Sequence, residues 1–306
     1  MTWRTVVIAS NAKLDLKMGY MVIRTSEIQK VHLSEISVLI VESTAVSITA
    51  MLMCELVRRK IKVILCDEIH EPYGEITPLY GSHDSTEKIR KQIKWKDSIK
   101  DEIWAEIVRC KIINQARLAE YFDYERASMI KGFADEIEPG DRTNREGHAA
   151  KVYFNTIFGS DFSRKSSCPK NIHLNYGYSI LLSAVNREIS ALGYLTQLGI
   201  HHDNVYNCFN LGSDIMEPIR PLIDSIVLDL DDEVTTQSKH QLANVLNNQV
   251  YIDGKHHYLN NAIRIYVKSV TDAINNNDSS LIKFCEYERK SDATDRLLRS
   301  SSEDCE

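Results

Sequence analysis

Apolar and polar positions alternate in short runs over the first part of the chain. Past about residue 85 they recur at helical spacing almost to the end. Residues 2–65 carry TVVIAS, LDLKM, YMVIRT, QKVHL and VLIVE, separated by Gly19 and polar pairs, the pattern of short strands joined by turns. The tight spacing of the first three favours antiparallel hairpins. Residues 46–59, VSITAMLMCELVRR, have helical periodicity, and IKVILCD returns as a buried strand. A small N-terminal β-rich domain with one helix follows, spanning residues 1–70.

The pattern breaks down where Pro72, Gly74, Pro78, Gly81 and the polar SHDS crowd together, so a linker is expected over 71–88. Residues 89–289 then read as a larger, all-helical C-terminal domain. They begin with IRKQIKWKDSIKDEIWAEIVRCKIINQARLAEYF, continue with a short helix over 127–136, and include EGHAAKVYF opening at Glu146 and a long apolar helix within 171–200. DLDDE at 229–233 interrupts, HYLNNAIRIYVKSVTDAIN resumes as an amphipathic helix, and residues 290–306 have little to bury and read as a flexible tail. The fold class expected is α+β, β-rich first and helical after, with no internal repeat.

Composition changes this picture little. At 306 residues, 43% hydrophobic and 26% charged, the chain suits a folded protein of two ordinary domains. A net charge of −6 excludes a uniformly basic coat, so any nucleic-acid contact must be a local face. Seven cysteines, odd in number and without a C-x-x-C, favour a reduced compartment, and no apolar run reaches the roughly 20 residues of a membrane span. The bacterial cytoplasm is the expected location. No Gly-rich phosphate loop and no G-x-S-x-G elbow is present, which weighs against triphosphate hydrolysis and serine esterase chemistry.

Candidate chemistry gathers in residues 200–224, IHHDNVYNCFNLGSDIMEPIRPLID. Pro218 and Pro221 fix where a helix begins and put Glu217 near its N-terminus, a position that suits a carboxylate beside a hard cation and a phosphate. Asp214 and Glu217, three apart, share a helix face; the ordinary alternative is a helix cap. His201 and His202 follow a buried helix directly and precede these acids by about a dozen residues. Adjacent side chains rarely enter one site, so one of the two is expected to coordinate. A further acid, Glu146, sits where Thr143-Asn-Arg-Glu146 also fits a capping box. Ala149, Ala150 and Tyr153 behind it permit close helix packing, as delivery of a carboxylate into a shared site requires. Two basic groups bear on the substrate, the first at the start of the first long helix and the second beside Glu146. Lys88, Arg90, Lys91, Lys94, Lys96 and Lys100 surround Trp95, and Arg142, Arg145, Lys151, Arg164, Lys165 and Lys170 flank Glu146. The second is the preferred phosphate-binding surface, and an ordinary charged helix face is the alternative for both.

Glu146 with Ala149, Ala150 and Tyr153, the stretch Leu174-Asn175-Tyr176-Gly177-Tyr178, the histidine pair, and Asp214-Ile215-Met216-Glu217-Pro218-Ile219-Arg220-Pro221 together resemble the CRISPR-associated integrase family, Cas1. The resemblance is carried by the second half of the chain. It implies a β domain followed by a helical catalytic domain, with Glu146, His202 and Glu217 as catalytic metal ligands, Asp214 as their support and His201 as a neighbouring or DNA-facing residue. Two carboxylates and an imidazole suit Mg²⁺ or Mn²⁺; zinc through His201, His202 and Cys208 lacks the paired spacing of a structural zinc site. The implied activity is that of a DNA endonuclease and integrase of CRISPR adaptation. The 3′-hydroxyl of a short foreign DNA fragment, the spacer, attacks a phosphodiester at the edge of a CRISPR repeat.

The implied partners are that double-stranded DNA, a second copy of the chain in a homodimer, and the Cas2 protein. REGHAAKVYF and SDIMEPIRPLID look most like the type II branch, which adds an effector nuclease and a ring-shaped accessory protein. Two other functions fit the same residues: a catalytically idle DNA-binding scaffold, and a hydrolytic nuclease acting on branched DNA.

Overall fold

The computed structural model describes residues 4–76, 82 and 84–287; the expected flexible tail, 290–306, lies outside them. The N-terminal part holds two four-stranded sheets. One has the order β1-β5-β7-β8, from β1 (Arg4–Ile8), β5 (Ile36–Val41), β7 (Lys62–Cys66) and β8 (Pro72–Ile76); the other has the order β4-β3-β2-β6, from β2 (Ala12–Lys17), β3 (Tyr20–Arg24), β4 (Ile28–His32) and β6 (Val46–Ile48). β2, β3 and β4 form the antiparallel hairpins expected of this region. β1 does not join them: it runs parallel to β5 in the other sheet.

Two boundaries differ from the sequence pattern. Residues 46–48 form β6, paired parallel to β2, and the helix α1 (Ala50–Arg58) starts only after Thr49, whose hydroxyl accepts the Leu52 amide. Within the stretch expected to be linker, residues 72–76 form β8, antiparallel to β7. Its only proline stands at the first position, on a strand at the sheet edge, where the missing N–H costs no ladder bond.

β5 is buried along its whole length because it is packed on both faces. Leu39 and Val41 face Leu14, Leu52 and Leu56 in the β-rich core, whereas Val38 and Ile40 join the core of the helical part. The helical part is thus seated directly on a sheet of the β part. Polar contacts fasten the joint: Arg187 donates to the Ser37 carbonyl (3.2 Å), and the Ser183 hydroxyl donates to Glu75 (3.3 Å), which is itself in a buried ion pair with Lys62 of the same sheet.

The helices are α2 (Ser85–Gln92), α3 (Asp97–Ala119), α4 (Tyr124–Asp135), α5 (Arg145–Phe158), α6 (Pro169–Leu192), α7 (Asn210–Met216), α8 (Arg220–Leu228), α9 (Thr236–Ala243) and α10 (Leu259–Asn276). The first long helical run is therefore two helices. The break allows Gln92, buried at the end of α2, to bond both ways with the segment after α6: its amide donates to the Leu195 and Leu198 carbonyls and its oxygen accepts the Leu195 amide. α3 has apolar residues all round and is buried on most of its faces, which makes it the axis of this part. A β-hairpin, β9 (Gln249–Ile252) with β10 (Lys255–Tyr258), adds a strand pair to a region expected to be all helix. Asp253 and Gly254 turn it with positive φ of 53° and 76°, the conformation that an Asp-Gly pair favours. Among the described residues no helix is long and apolar enough to cross a membrane.

Candidate functional site

Three elements bring the acidic candidates to α3. Glu146 lies in the first turn of α5, where a carboxylate is favoured by the helix end. The cap is not Thr143. Asn144, in the left-handed conformation, accepts the Gly147 amide (3.2 Å), and Asp141 accepts the amides of Arg145 (2.8 Å) and Glu146 (3.0 Å). With the cap supplied by these two residues, the Glu146 carboxylate is free to face inward. It meets the Lys111 ammonium at 2.5 Å.

Glu217 ends α7 and opens the single 3-10 turn Glu217–Ile219 that leads into α8, so both prolines stand where a helix begins. Asn114 of α3 donates to the Pro218 carbonyl at 2.9 Å, and the Tyr287 hydroxyl donates to the same oxygen at 3.0 Å, pinning the turn. The Glu217 side chain is 5% exposed. One carboxylate oxygen lies 2.5 Å from the Lys111 ammonium and the other accepts from Arg220 at 2.7 Å. Burial pushes the Glu217 carboxyl upward, but Arg220 and Lys111 outweigh it and hold the group down at about 2. Lys111, despite burial that favours its neutral form, is raised by Glu217 and Glu146. Arg220 also covers the ring of Tyr178, 4.2 Å away, so it serves its own neighbours in this structure.

Asp214 is fully buried inside α7, past its N-terminus, so it does not cap the helix. Its carboxylate accepts the backbone amides of Ile200 (2.6 Å), His201 (3.0 Å) and His202 (3.0 Å), and it accepts Nδ1–H of His202 at 2.5 Å. That last bond raises the His202 imidazole above its ordinary value, against burial, and the charges of Asp214, Glu217 and Glu146 act the same way. His202 is thereby fixed with Nε2 available, the arrangement that second partners impose on ligating imidazoles. His201 is engaged elsewhere: its ring stacks on Trp104 of α3, centroids 4.3 Å apart and planes 1° from parallel. A cleft of about 390 Å³ opens beside the site, lined by His202, Glu217 and Arg220 and by the polar side chains of Asn175, Ser179 and Ser213.

The structure therefore draws Glu146 and Glu217 onto one point, and sets an oriented His202 next to Glu217. Among the described residues no three His, Cys, Asp or Glu side chains converge closely enough to hold an ion as they stand, for the zinc alternative or any other. Two acids do come together, at Lys111, whose ammonium contacts both carboxylates. The donor types, two carboxylates on one ammonium and an imidazole in the cleft that Glu217 also lines, fit the chemistry of a hard divalent ion. Sequence reasoning missed Lys111. It lies on the stripe Trp104, Val108, Lys111, Gln115 of a helix buried on most faces, and a lysine at a core position was the available signal.

The expected phosphate-binding group is partly committed within the protein. Arg142 pairs with Asp101, Arg145 with Glu136, and Lys170 with Asp232 and the Leu230 carbonyl. Arg164 is held by Asn171 and Asn175 over the Tyr178 ring.

The sequence matches the family model described as CRISPR associated protein Cas1 over residues 5–257. It is 33% identical over 294 residues to the CRISPR-associated endonuclease Cas1 of Neisseria meningitidis serogroup C (strain 8013), covering 94% of this chain and 97% of that protein. Among solved structures, a casposase bound to integration product superposes with a TM-score of 0.77 at 17% identity, covering 99% of this chain and 100% of that one. A Cas6-RT-Cas1–Cas2 complex gives a TM-score of 0.72 at 17% identity; 94% of this chain is covered, spanning 36% of that longer chain. At such identities these two structures speak to the fold.

Proposed function

The chain belongs to the CRISPR-associated Cas1 family, and on that premise we propose that it is a metal-dependent DNA endonuclease and integrase of CRISPR adaptation, with Glu146, His202 and Glu217 as its metal-binding catalytic residues. The observation that carries this is the convergence of Glu146 and Glu217 on a single cation beside an imidazole oriented by Asp214. Mg²⁺ or Mn²⁺ held there by Glu146, His202 and Glu217 would draw negative charge from the phosphate oxygens of the scissile bond.

The chain's own groups prepare the reaction. Asp214 fixes the His202 tautomer and holds the 200–202 backbone still. Arg220 and the Tyr178 ring hold Glu217 in one rotamer, and Asn114 holds the turn that carries it. The cleft lined by Asn175, Ser179, His202 and Ser213 offers hydrogen-bonding groups for a DNA end next to the carboxylates. In the joining step the 3′-oxygen of the donor bonds to phosphorus and its proton passes to solvent, while the repeat-edge P–O bond breaks and the departing 3′-oxygen takes a proton from solvent to become a hydroxyl. No protein–DNA bond is needed.

The partners that go with this function are double-stranded donor and repeat DNA, a second copy of the chain, and Cas2. Relatives of similar fold are solved as a Cas1–Cas2 complex and with integration product. The type II effector nuclease and its ring-shaped companion belong to the same proposal.

The test uses a labelled short duplex with free 3′-hydroxyls, purified chain, Cas2, Mn²⁺, and a plasmid carrying leader and repeat, beside Glu146→Ala. Label should join the plasmid only with the unsubstituted chain. Joining that survives Glu146→Ala refutes the metal-site assignment. Glu146-dependent nicking without joining makes the chain a hydrolytic nuclease, and DNA binding without chemistry makes it a scaffold.

A further inference from the structure

Lys111 carries a positive charge at the place where the proposed function requires a metal. Its ammonium is 2.5 Å from a carboxylate oxygen of Glu146 and 2.5 Å from one of Glu217, on a side chain that is 7% exposed. Arg220 engages the other oxygen of Glu217. Two anions and two cations leave this group of four neutral. A divalent ion entering between the carboxylates would therefore add two uncompensated charges at hydrogen-bond distance from an ammonium.

Two further observations point the same way. The buried Glu217 oxygen facing Lys111 has that ammonium as its one partner among the described residues, so nothing else holds it once the ammonium moves away. The cation is also a lysine, a compact point charge on a flexible stem, whereas the guanidinium of Arg220 is fixed by Glu217 and the Tyr178 ring. Of the two cations around Glu217, Lys111 is the one built to leave.

We propose that Lys111 is an internal counter-cation that holds Glu146 and Glu217 together in the metal-free protein and must leave the carboxylate pair for a divalent ion to enter. Lys111 thus competes with the metal while preserving the geometry the metal needs. This rests on the assignment of Glu146 and Glu217 as ligands.

Calorimetric titration of Mn²⁺ into metal-stripped full-length chain separates the two ideas. Lys111→Met keeps the length of the side chain and removes its charge. It should bind Mn²⁺ at least about tenfold more tightly than the unsubstituted chain, a change of about 1.4 kcal/mol, and its metal-free form should melt at lower temperature and recover when Mn²⁺ is added. Folded Lys111→Met that binds Mn²⁺ with equal or weaker affinity overturns the proposal while leaving the metal site standing. If neither protein binds Mn²⁺, the metal site itself is refuted and the proposal falls with it.

Should Lys111→Met fail to fold, the unsubstituted chain gives a second readout. The Lys111 ammonium should be slow to exchange with water in nitrogen-detected spectra, and Mg²⁺ should release it to fast exchange. An ammonium signal unmoved by saturating Mg²⁺ overturns the proposal.

Discussion

Asp214 lies 2.5 Å from Nδ1 of His202, and the same carboxylate closes the backbone of residues 200–202 around itself through three amides. One fully buried acid therefore fixes both the loop and the imidazole it presents. Asn at this position keeps the shape but replaces one acceptor oxygen with a donor group among four N–H donors. Asp214→Asn should lower Mn²⁺ affinity and strand joining by roughly 10–100-fold and cost about 1–3 kcal/mol of stability. Calorimetric titration and urea unfolding measure the two effects separately, and unchanged joining would deny Asp214 its positioning role.

The same contact sets a pH dependence. The hydrogen bond to Asp214 raises His202 above 6.5, so the protonated imidazole persists to higher pH than in the unfolded chain. Its contribution to stability is complete below the unfolded value and is lost as pH rises through the folded one. Metal binding runs the other way, because a ligating Nε2 must first lose its proton. Mn²⁺ affinity should rise across about pH 6 to 8, with a midpoint above the ordinary imidazole value that drops back in Asp214→Asn. An affinity flat over this range would exclude His202 as a ligand.

Glu146 and Glu217 are proposed to act alike in chemistry, yet they differ in what they hold together. Glu217, 5% exposed, neutralises Lys111 and Arg220, while Glu146, 25% exposed, meets Lys111 alone. Removing Glu217 leaves the part-buried Arg220 without its carboxylate and the buried Lys111 with Glu146 alone, so Glu217→Ala should cost about 3–5 kcal/mol; Glu146→Ala should cost nearer about 1 kcal/mol. Both should abolish joining. Because Glu217 is depressed to about 2, its stabilisation is complete above about 4.5 and is lost as pH falls between those values. Equal urea midpoints for the two variants would contradict the burial argument.

Much of this was legible in the sequence, and what was not has identifiable causes. Period-two runs located β1 to β5, but alternation says which faces are buried and nothing about which strand is the neighbour, so the parallel pairing of β1 with β5 was out of reach. Thr49, a capping residue, marked the true start of α1, and Asp253-Gly254 marked the hairpin turn inside the helical part; both signals were weaker than the helical periodicity around them. Glu146, His202 and Glu217 stand out in the sequence through motif wording. Their arrangement does not, because Lys111 stands at least thirty-five positions from any of them and only the packing of α3 against α5 and the 217–219 turn brings it between the acids.

His201 tests the choice between the adjacent histidines. Its ring stacks on Trp104, which is itself 1% exposed, while His202 meets the same indole edge-on at 5.7 Å. His201→Ala loses a stacking pair, about 0.5–1.5 kcal/mol, and should keep Mn²⁺ affinity within about threefold, less than 1.4 kcal/mol. His202→Ala should remove most of it. If His201→Ala proves the more damaging to metal binding, the ligand assignment is reversed.

Gly199 controls the same loop from the backbone. A Cβ there would lie 2.3 Å from the His202 carbonyl oxygen and 2.7 Å from an Asp214 carboxylate oxygen, and neither can yield without opening the ring of amides around Asp214. Gly177 offers a matched comparison, since its Cβ would meet a methyl of Ile223 at 2.5 Å where α6 and α8 cross, away from that loop. Each substitution by Ala should cost about 1–3 kcal/mol through overpacking. They should differ in function: Gly199→Ala should lose Mn²⁺ affinity and joining well beyond its loss of stability, while folded Gly177→Ala should retain both. Measuring Mn²⁺ binding well below the melting point of each variant removes the unfolded fraction from the comparison. Equal affinities would mean that the loop can relax, and that the close approach of residue 199 to Asp214 is packing without consequence for His202.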